Sequence, residues 1–500
     1  MISRSEQKTL LNRTPRFEDM LCSLYAAPRM PGGVVKETKK VVAIARKFNV
    51  QVIRARTLEL DKKMHEEPDY LAWDFVREAN RWGFYSMWYP KQIGCKGYSF
   101  FSMPPFIEEI ASACLGMANL IMVHYLGVTV LASSMNVRLI RRLFMDTIEG
   151  EKTDSPCIFS TAITEPGAGT DVEETELVDK GNITCYAQKV PGGYRVNGTK
   201  VFISNGHLAT WHMLIAYSDL KKPSENMVVL AVKNGTKGFS FGKMEKKLGQ
   251  KCCPASELIF NDCFIPDEYV CADMRMDMPK TGLSKKDLAA SLLDDTLAAS
   301  RCGVGAFGAG GARGAFETAL KFAAKTKVKG RLLINHEWAQ CILAEMYKNM
   351  LAARLAYMES NYANGVFGPM AVFQYKPVYY FSKYMPVRFF NLFENFFRKP
   401  VATKLLRRAR LLAFKQENNQ ITAGLGSFCK FSATDLAVKN CHLALEMMGQ
   451  AGLRHDKNAE KILRDSKLLQ IYEGTNQLNR LNLFKCLIAR DFPQTVVFDE

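Results

Sequence analysis

The sequence predicts an α+β protein in which a central β-domain separates two helical domains. Apolar residues recur at helical spacing up to about residue 155 and again after Leu288. Between these parts the chain changes to short β-rich runs that are separated by turns. We therefore predict an N-terminal α-helical domain over 1–155, a central β-domain over 156–277 and a C-terminal α-helical domain over 278–500.

The N-terminal domain has amphipathic stretches at 70–77 and 106–120, and the mostly apolar segment 121–131 predicts a buried helix. No run reaches 18 consecutive apolar residues, so we predict no transmembrane helix. The first residues, 1–6, lack the apolar core of a signal peptide. The 14 cysteines include no CxxC pair and the 7 histidines lack metal-ligand spacing. These features predict a cytoplasmic protein with reduced thiols and no metal site.

The central domain contains several runs with the composition of β-strands. A pair of runs at 193–196 and 199–203 flanks Asn197-Gly198, a dipeptide typical of a type I′ turn. This pair predicts a hairpin that ends at Ser204-Asn205-Gly206. The other predicted strands lie at 211–218, 227–232, 239–243 and 257–264.

A turn at the start of this domain, 161–171, has the sequence TAITEPGAGTD. Pro166 ends the preceding strand, and two glycines allow the backbone to approach a ligand closely. Thr164 and Thr170 add hydroxyl donors, and backbone N–H groups in such turns favour anionic or carbonyl oxygens. The segment therefore predicts a ligand-binding turn, although turns of this composition are common.

In the C-terminal domain the residues IYEGTNQ at 471–477 place one carboxylate, Glu473, on a glycine-containing bend. Its sequence neighbours are an aromatic ring, a small residue and a hydroxyl, with no adjacent cation. Desolvation in such a pocket raises the pKa of a carboxyl group toward neutrality, where a general base works best. The alternative is that Glu473 is an ordinary exposed glutamate on a loop.

Further upstream, the Gly- and Ala-rich stretch 303–314 predicts a helix packed against a flat partner, or an ordinary core helix.

These motifs resemble, in sequence and in order, those of the acyl-CoA dehydrogenase family. The resemblance extends from about Trp73 to Arg490 and is interrupted by one insertion at about 361–413. It implies a small β-barrel or sheet domain in the centre and a four-helix bundle at the C-terminus. It also implies that FAD lies between these domains, with the acyl thioester of an acyl-CoA against the flavin. The motifs are ITEPGAGTD at 163–171, VFISNG at 201–206 and LQIYEGTNQ at 469–477.

The resemblance also implies roles for individual residues. Glu473 matches the base that removes the α-proton while the flavin N5 accepts the β-hydride, and its backbone N–H helps to hold the thioester oxygen. Ser300 precedes Arg301, at the position where a minority of relatives carry the base. A serine cannot act as this base. The matches to substrate contacts are Tyr472, Gly474 and Arg301. The matches to FAD contacts are Ile163, Thr164, Gly169, Thr170, Phe202, Ser204, Thr475 and Gln477, with core packing as the alternative for Phe202.

The sequence departs from the family where the adenine half of FAD crosses to a neighbouring subunit. Thr326 replaces an arginine that pairs with the pyrophosphate, and Glu337 and Glu446 replace glutamines. Loss of a cation and gain of two carboxylates should weaken FAD binding, while cations at 325, 327, 329 and 331 compensate. We expect FAD to be bound through a rearranged phosphate site or an altered subunit contact, in a homodimer or homotetramer.

The insertion is basic and rich in aromatic residues. Between 366 and 415 the chain has ten Lys or Arg residues against one acidic residue, Glu394, and thirteen aromatic residues. Helical projections of 388–398 and 401–414 separate apolar from basic side chains, with Arg407 on the basic side. Three interpretations compete: an anionic membrane bound through 372–410, a docking surface for a partner or second subunit, and a lid or extra core. No nucleic-acid-binding fold accompanies the charge, so we predict no nucleic-acid partner.

The leading functional hypothesis is FAD-dependent dehydrogenation of an acyl-CoA to its trans-2-enoyl-CoA. The electrons would pass to an electron-transferring flavoprotein or to a membrane-linked acceptor, with the protein peripheral on the inner face of a membrane. An acyl-CoA oxidase that uses oxygen directly is the alternative within the same chemistry. A non-catalytic scaffold that binds membranes or partners is the alternative from another class, motivated by Thr326, Glu337 and Glu446.

Overall fold

The order of helical, β and helical domains is observed in the structure, a computed structural model that describes residues 2–12, 22–274, 283–492 and 494–499. In the described N-terminal part the chain forms eight α-helices before the first strand. These are α1 Arg4–Leu11, α2 Cys22–Ala26, α3 Gly32–Phe48, α4 Arg54–Glu66, α5 Trp73–Arg81, α6 Met103–Ala111, α7 Leu115–Ser133 and α8 Val137–Lys152. A π-helical segment, Asn49–Ile53, joins α3 to α4.

Helix α7 contains the buried segment predicted at 121–131. It is apolar around its whole circumference, which is the pattern of a helix enclosed by protein on every side. By length and composition alone α7 could cross a membrane, but 83% of its most apolar window is buried inside the structure. It therefore forms the core on which the first strand and helix α6 pack.

The central domain is one mixed sheet of eight strands in the described residues. The strand order is β6-β7-β3-β2-β4-β5-β8, and β1 lies parallel to β4. Because this path is open between β6 and β8, the domain is a sheet rather than a closed barrel. The strands are β1 Phe159–Ala162, β2 Tyr186–Val190, β3 Gly193–Ser204, β4 Trp211–Tyr217, β5 Met227–Lys233, β6 Phe239–Met244, β7 Ala255–Pro266 and β8 Val270–Asp273.

The prediction of a hairpin turn at Asn197-Gly198 is wrong. Strand β3 continues through this dipeptide, and the turn lies earlier, at Gly192 between β2 and β3. Gly198 has φ +140° within the strand, and a Cβ there would stand 2.6 Å from the Cα of Cys185. The glycine is therefore required by a close approach of two backbones beside an irregularity in the β3–β7 register.

The C-terminal domain is a bundle whose long helices α9, α10 and α15 pack on one another, with α16 and α17 against them. Ser284 caps α9 by accepting a hydrogen bond from the backbone N–H of Asp287. The short strands β9 Lys327–Val328 and β10 Arg331–Leu332 join α9 to α10. The helices are α9 Lys285–Ala323, α10 Glu337–Phe367, α11 Lys376–Tyr384, α12 Val387–Asn391, α13 Glu394–Phe397, α14 Pro400–Ala413, α15 Gln416–Met448, α16 Ala459–Leu469 and α17 Asn476–Leu483.

The glycine-rich part of α9 is a core helix that approaches two other helices closely. A Cβ at Gly308 would lie 2.7 Å from the backbone carbonyl carbon of Ala433 in α15. A Cβ at Gly310 would lie 2.6 Å from the Cβ of Ala111 in α6. The partners at these glycines are helices, so the core-helix alternative is the correct interpretation there.

Because one hydrophobic core contains Phe84, Trp211 and Phe307, the three domains are packed into a single body.

The insertion, helices α11 to α14, differs from its predicted amphipathic pattern in two ways. The stretch 388–398 is divided between α12 and α13, and Phe389 and Phe390 pack edge-on against Phe381 of α11. Arg407 is buried, because its guanidinium donates hydrogen bonds to the backbone oxygens of Ser134, at 2.9 Å, and of Cys271, at 2.6 Å. Part of the insertion thus packs as additional core.

Candidate active site

Glu473 lies on a rigid bend between α16 and α17. Glu473 and Gly474 both have left-handed backbone conformations, with φ of +57° and +75°. The side-chain amide of Asn479 donates hydrogen bonds to the backbone oxygens of Glu473, Gly474 and Thr475 at 3.0–3.2 Å. The hydroxyl of Thr475 caps α17 by accepting from the N–H of Leu478 at 3.2 Å. A strained residue held this firmly is typical of a functional position.

The bend projects Glu473 into a cavity of about 220 Å³ between the N-terminal and C-terminal domains. Tyr472 and Ser204 share this wall, so the second and third sequence motifs meet here. Most of the remaining wall is apolar and comes from α6, α7, α9 and α10, including Ile107 and Phe307. The arrangement places one carboxyl group at an apolar cavity that suits an acyl chain.

The pKa of Glu473 is raised to about 7, chiefly because burial disfavours the charged carboxylate. The carboxylate of Glu173 raises it further by repulsion. A hydrogen bond from the Ser300 hydroxyl and the nearby charges of Arg301 and Lys430 oppose this rise. A carboxyl group with this pKa is poised to act as a general base near neutral pH.

Two cations lie close to the bend, although none is adjacent to it in the sequence. Nε of Arg301 donates to the backbone oxygen of Glu473 at 3.3 Å, and its Nη2 lies 3.3 Å from Oε2 of Glu173. Nζ of Lys430 donates to the backbone oxygen of Gly474 at 2.7 Å, and burial lowers the pKa of Lys430 to about 7. These hydrogen bonds go to backbone oxygens, so the cations hold the bend rather than neutralise the Glu473 carboxylate directly.

The predicted ligand-binding turn is fixed by a buried ion pair. Nζ of Lys200 contacts Oε1 of Glu165 at 2.8 Å, and both side chains are fully buried. Burial alone would raise the pKa of Glu165, but the Lys200 ammonium and two backbone N–H donors keep it below its ordinary value. Lys200 also donates to the backbone oxygen of Ile163 at 2.8 Å, and the N–H of Val201 donates to the oxygen of Thr164 at 2.9 Å. The turn is therefore tied to strand β3.

An uncovered aromatic ring lies next to this turn. Phe202 is 60% exposed at φ +59°, whereas Val201 and Ile203 on either side of it are buried. Gly169 has open space where a Cβ would lie. A planar ring system laid over Phe202 would cover it, and the turn and the end of β3 carry three hydroxyls, on Thr164, Thr170 and Ser204. These features fit the isoalloxazine and pyrophosphate of FAD.

The remaining predicted positions lie outside the cavity. Ile163 packs against the main core, and Gln477 is exposed on the first turn of α17. Glu337 and Glu446 are exposed on α10 and α15. Thr326 precedes the β9–β10 hairpin, and its backbone oxygen accepts from the N–H of Leu333 at 2.7 Å.

Sequence reasoning missed three groups that surround Glu473. Glu173 follows the TAITEPGAGTD turn by two residues, and Lys430 lies among apolar neighbours on α15, a placement that marks an unusual lysine. Burial raises the pKa of Glu173, although Arg301 and Lys430 lower it. Ser300, dismissed above as a base, lies in the cavity wall as a hydrogen-bond donor to Glu473.

Three family models match the chain in the order of its domains. The acyl-CoA dehydrogenase N-terminal domain matches residues 36–151, and the middle domain matches 160–263. The C-terminal domain matches 291–364 and 401–488, and the gap between these pieces lies within the insertion. The chain belongs to the acyl-CoA dehydrogenase family. This is an oxidoreductase family that binds FAD and carries out flavin-dependent dehydrogenation of acyl-CoA.

Relatives resemble this chain along nearly their whole length. It is 27% identical over 451 residues to cyclohex-1-ene-1-carbonyl-CoA dehydrogenase of Syntrophus aciditrophicus (strain SB), covering 90% of this chain and 89% of the relative. It is 26% identical over 488 residues to the probable medium-chain specific acyl-CoA dehydrogenase 2, mitochondrial, of Caenorhabditis briggsae, covering 96% and 98%. The structure of butyryl-CoA dehydrogenase from Megasphaera elsdenii shares the fold, with TM-score 0.67, 20% identity and coverage of 90% and 98%.

Proposed function

We propose that this acyl-CoA dehydrogenase oxidises the Cα–Cβ bond of an acyl-CoA to a trans-2-enoyl-CoA, with Glu473 as the base. The observation that carries the proposal is the position of Glu473, which lies in the wall of an apolar cavity with its pKa raised to about 7. Removal of an α-proton needs a base of this strength beside the reacting carbon. An exposed glutamate with an ordinary pKa would not meet this need.

Different groups of the bend have different roles in proton removal. The Glu473 carboxylate takes the α-proton, and its backbone N–H polarises the thioester oxygen as negative charge develops there. Arg301 and Lys430 hold the bend through the backbone oxygens of Glu473 and Gly474, which keeps the base in position. FAD, when bound, supplies the acceptor for the hydride that leaves Cβ.

FAD is held by residues from two domains in this proposal. Thr164, Thr170 and Ser204 contribute hydroxyls, and Phe202 supports the ring system. Ile163 and Gly169 contribute backbone contacts, and Thr475 and Gln477 approach from the C-terminal domain. Tyr472, Gly474 and Arg301 surround the thioester. The adenine half extends to a second subunit of a homodimer or homotetramer, past the altered positions Thr326, Glu337 and Glu446.

The decisive experiment is anaerobic titration of the purified yellow protein with acyl-CoA substrates, followed by flavin absorbance and product analysis. Bleaching with formation of trans-2-enoyl-CoA is expected. A protein that takes up no FAD would instead favour the scaffold hypothesis. Hydrogen peroxide formed in step with product under air would favour an oxidase over electron transfer to an electron-transferring flavoprotein or a membrane-linked acceptor.

The membrane-linked acceptor is favoured by the exposed surface of the insertion. On α14 one face, here called the α14 outer face, consists of Val401, Lys404, Leu405, Arg408 and Leu412, and its three apolar residues are each more than half exposed. Arg407, Arg410 and Lys383 are bound to other protein groups and are not exposed. The other seven cations of 366–415 are exposed, although Lys376 and Arg398 also contact Pro28 and Glu394. Leucines among lysines and arginines suit an anionic bilayer, which attracts each basic residue by about 1 kcal/mol.

Flotation of the whole protein with phosphatidylcholine vesicles, with and without phosphatidylserine, tests this contact. The double variant Lys404→Glu and Arg408→Glu should lose flotation with the anionic vesicles. The matched control, Lys221→Glu and Lys222→Glu on an exposed loop of the central domain, should float like the wild type. Equal flotation of both variants would refute the assignment of the α14 outer face.

A further inference from the structure

The cavity beside Glu473 adjoins a second cavity of about 430 Å³. Phe101, Gly365 and Gln374 belong to the walls of both cavities, whereas Glu473 belongs to the first alone. The outer cavity is enclosed by the segment after α2, the end of α10 and the start of the insertion. The two cavities therefore form consecutive chambers that lead from the base toward the insertion.

Gly365 lines both chambers and presents no side chain at their junction, where there is room for one. A Cβ built on Gly365 meets the Cγ of Gln374 at 3.9 Å, and in the described part of the chain no other atom beyond its chain neighbours and its own helix backbone lies within 4 Å. Gly365 lies within helix α10, and its φ is outside the left-handed region, so the backbone does not require glycine. The space at the junction, rather than the backbone conformation, is the feature that glycine provides.

The outer chamber is suited to hydrocarbon. Eight of the ten residues around it are apolar or aromatic, and Arg29 is the charged one among them. The nucleotide of CoA carries several phosphate charges and would need more cations than this wall offers. The far end of an acyl chain gains from every methylene that it buries there.

We propose that this enzyme acts on long-chain acyl thioesters, whose distal methylenes pass Gly365 and occupy the outer chamber. The inference rests on the proposed dehydrogenation, and it assigns the substrate class and a residue, Gly365, that determines chain length. The insertion contributes to specificity because Ala371, Gln374 and Tyr375 bound the outer chamber. A short acyl chain ends within the first chamber and does not reach the junction.

Chain-length profiles of the wild type and two variants at one position test the proposal. Gly365→Leu places a branched side chain in the junction, whereas Gly365→Ala adds a methyl group that the open space accepts. For each FAD-loaded protein, kcat/KM and the calorimetric Kd are measured with butyryl-CoA and palmitoyl-CoA. Each methylene excluded from the outer chamber costs a factor of about four in affinity, so two or more cost at least about tenfold.

The wild type should prefer palmitoyl-CoA, and Gly365→Leu should lower the palmitoyl-to-butyryl ratio at least tenfold, with Gly365→Ala between them. An unchanged ratio in Gly365→Leu would overturn the proposal. Equal loss with both substrates would also overturn it, because the outer chamber would then hold the CoA moiety. Bleaching by butyryl-CoA without preference for palmitoyl-CoA would refute the chain-length inference alone. No bleaching by either substrate would refute the proposed dehydrogenation itself.

Discussion

Replacing Glu473 by glutamine should stabilise the protein in a pH-dependent way. In the folded protein the pKa of Glu473 is raised from its ordinary 4.5 to about 7, mainly by burial. Between these two values the unfolded chain releases the proton while the folded protein keeps it. The free energy of unfolding of the wild type therefore falls as the pH rises from 4.5 to about 7, and it is constant above that range.

The magnitude follows from the size of the shift. At 1.36 kcal/mol per pH unit, a shift from 4.5 to about 7 corresponds to roughly 3 kcal/mol as an upper limit. The side chain is only partly buried because it faces the cavity, so we expect about 1–3 kcal/mol. A glutamine does not titrate and avoids this cost. The free energy of unfolding of Glu473→Gln, relative to that of the wild type, should therefore increase by this amount between pH 5 and pH 8.

Urea unfolding of both FAD-loaded proteins at pH 5 and pH 8 measures this difference. The control is Glu149→Gln, in which the replaced side chain is 64% exposed, so the substitution should change the free energy of unfolding little at either pH. A Glu473→Gln difference that is the same at both pH values would refute the buried, proton-holding carboxyl group. The variant should also lose about 10²–10⁴-fold in turnover, the usual contribution of a general base.

Two further substitutions test the surroundings of the base, and a third tests the ion pair that fixes the ligand-binding turn. Ser300→Ala removes a hydrogen bond that favours the charged carboxylate, so the acidic limb of the kcat/KM profile should move from near pH 7 to higher pH by about one unit. Glu173→Gln removes a repelling charge, so the same limb should move to lower pH; a shift upward would contradict its role. Lys200→Met leaves the buried Glu165 without its cation and should cost about 3–5 kcal/mol in urea unfolding, with recovery in the double variant Lys200→Met and Glu165→Gln.

Elements with a clear period could be predicted from the sequence, and elements that depend on distant contacts could not. The apolar segment within α7 and the strand β4 followed from composition, since an element that is buried on all sides leaves a continuous apolar run in the sequence. Gly198 was misassigned to a turn because the backbone of Cys185, which requires the glycine, is not visible in a local pattern. Arg407 was placed on a solvated face because the carbonyl groups that accept its hydrogen bonds come from the residue after α7 and from β8.

The site was predictable in its central carboxyl group and less so in its surroundings. The IYEGTNQ motif indicated that Glu473 is desolvated, because its neighbours there offer no charge. The cations Arg301 and Lys430 come from α9 and α15, so only the packing of the bundle brings them to the bend. Glu173 reaches the same point from the central domain. Its repulsion of Glu473 depends on the arrangement of domains, which a linear motif does not contain.

Exchange of α-protons in D₂O tests the role of Glu473 most directly. A 3-thia-acyl-CoA has sulfur in place of Cβ, so it offers an α-proton to the base but no hydride for transfer. By NMR, the FAD-loaded wild type should exchange the α-protons of this compound for deuterium, at a rate that rises with pH to a plateau above about 7. Glu473→Gln should exchange them no faster than the protein-free solution, and equal exchange by the variant and the wild type would contradict the assignment of the base.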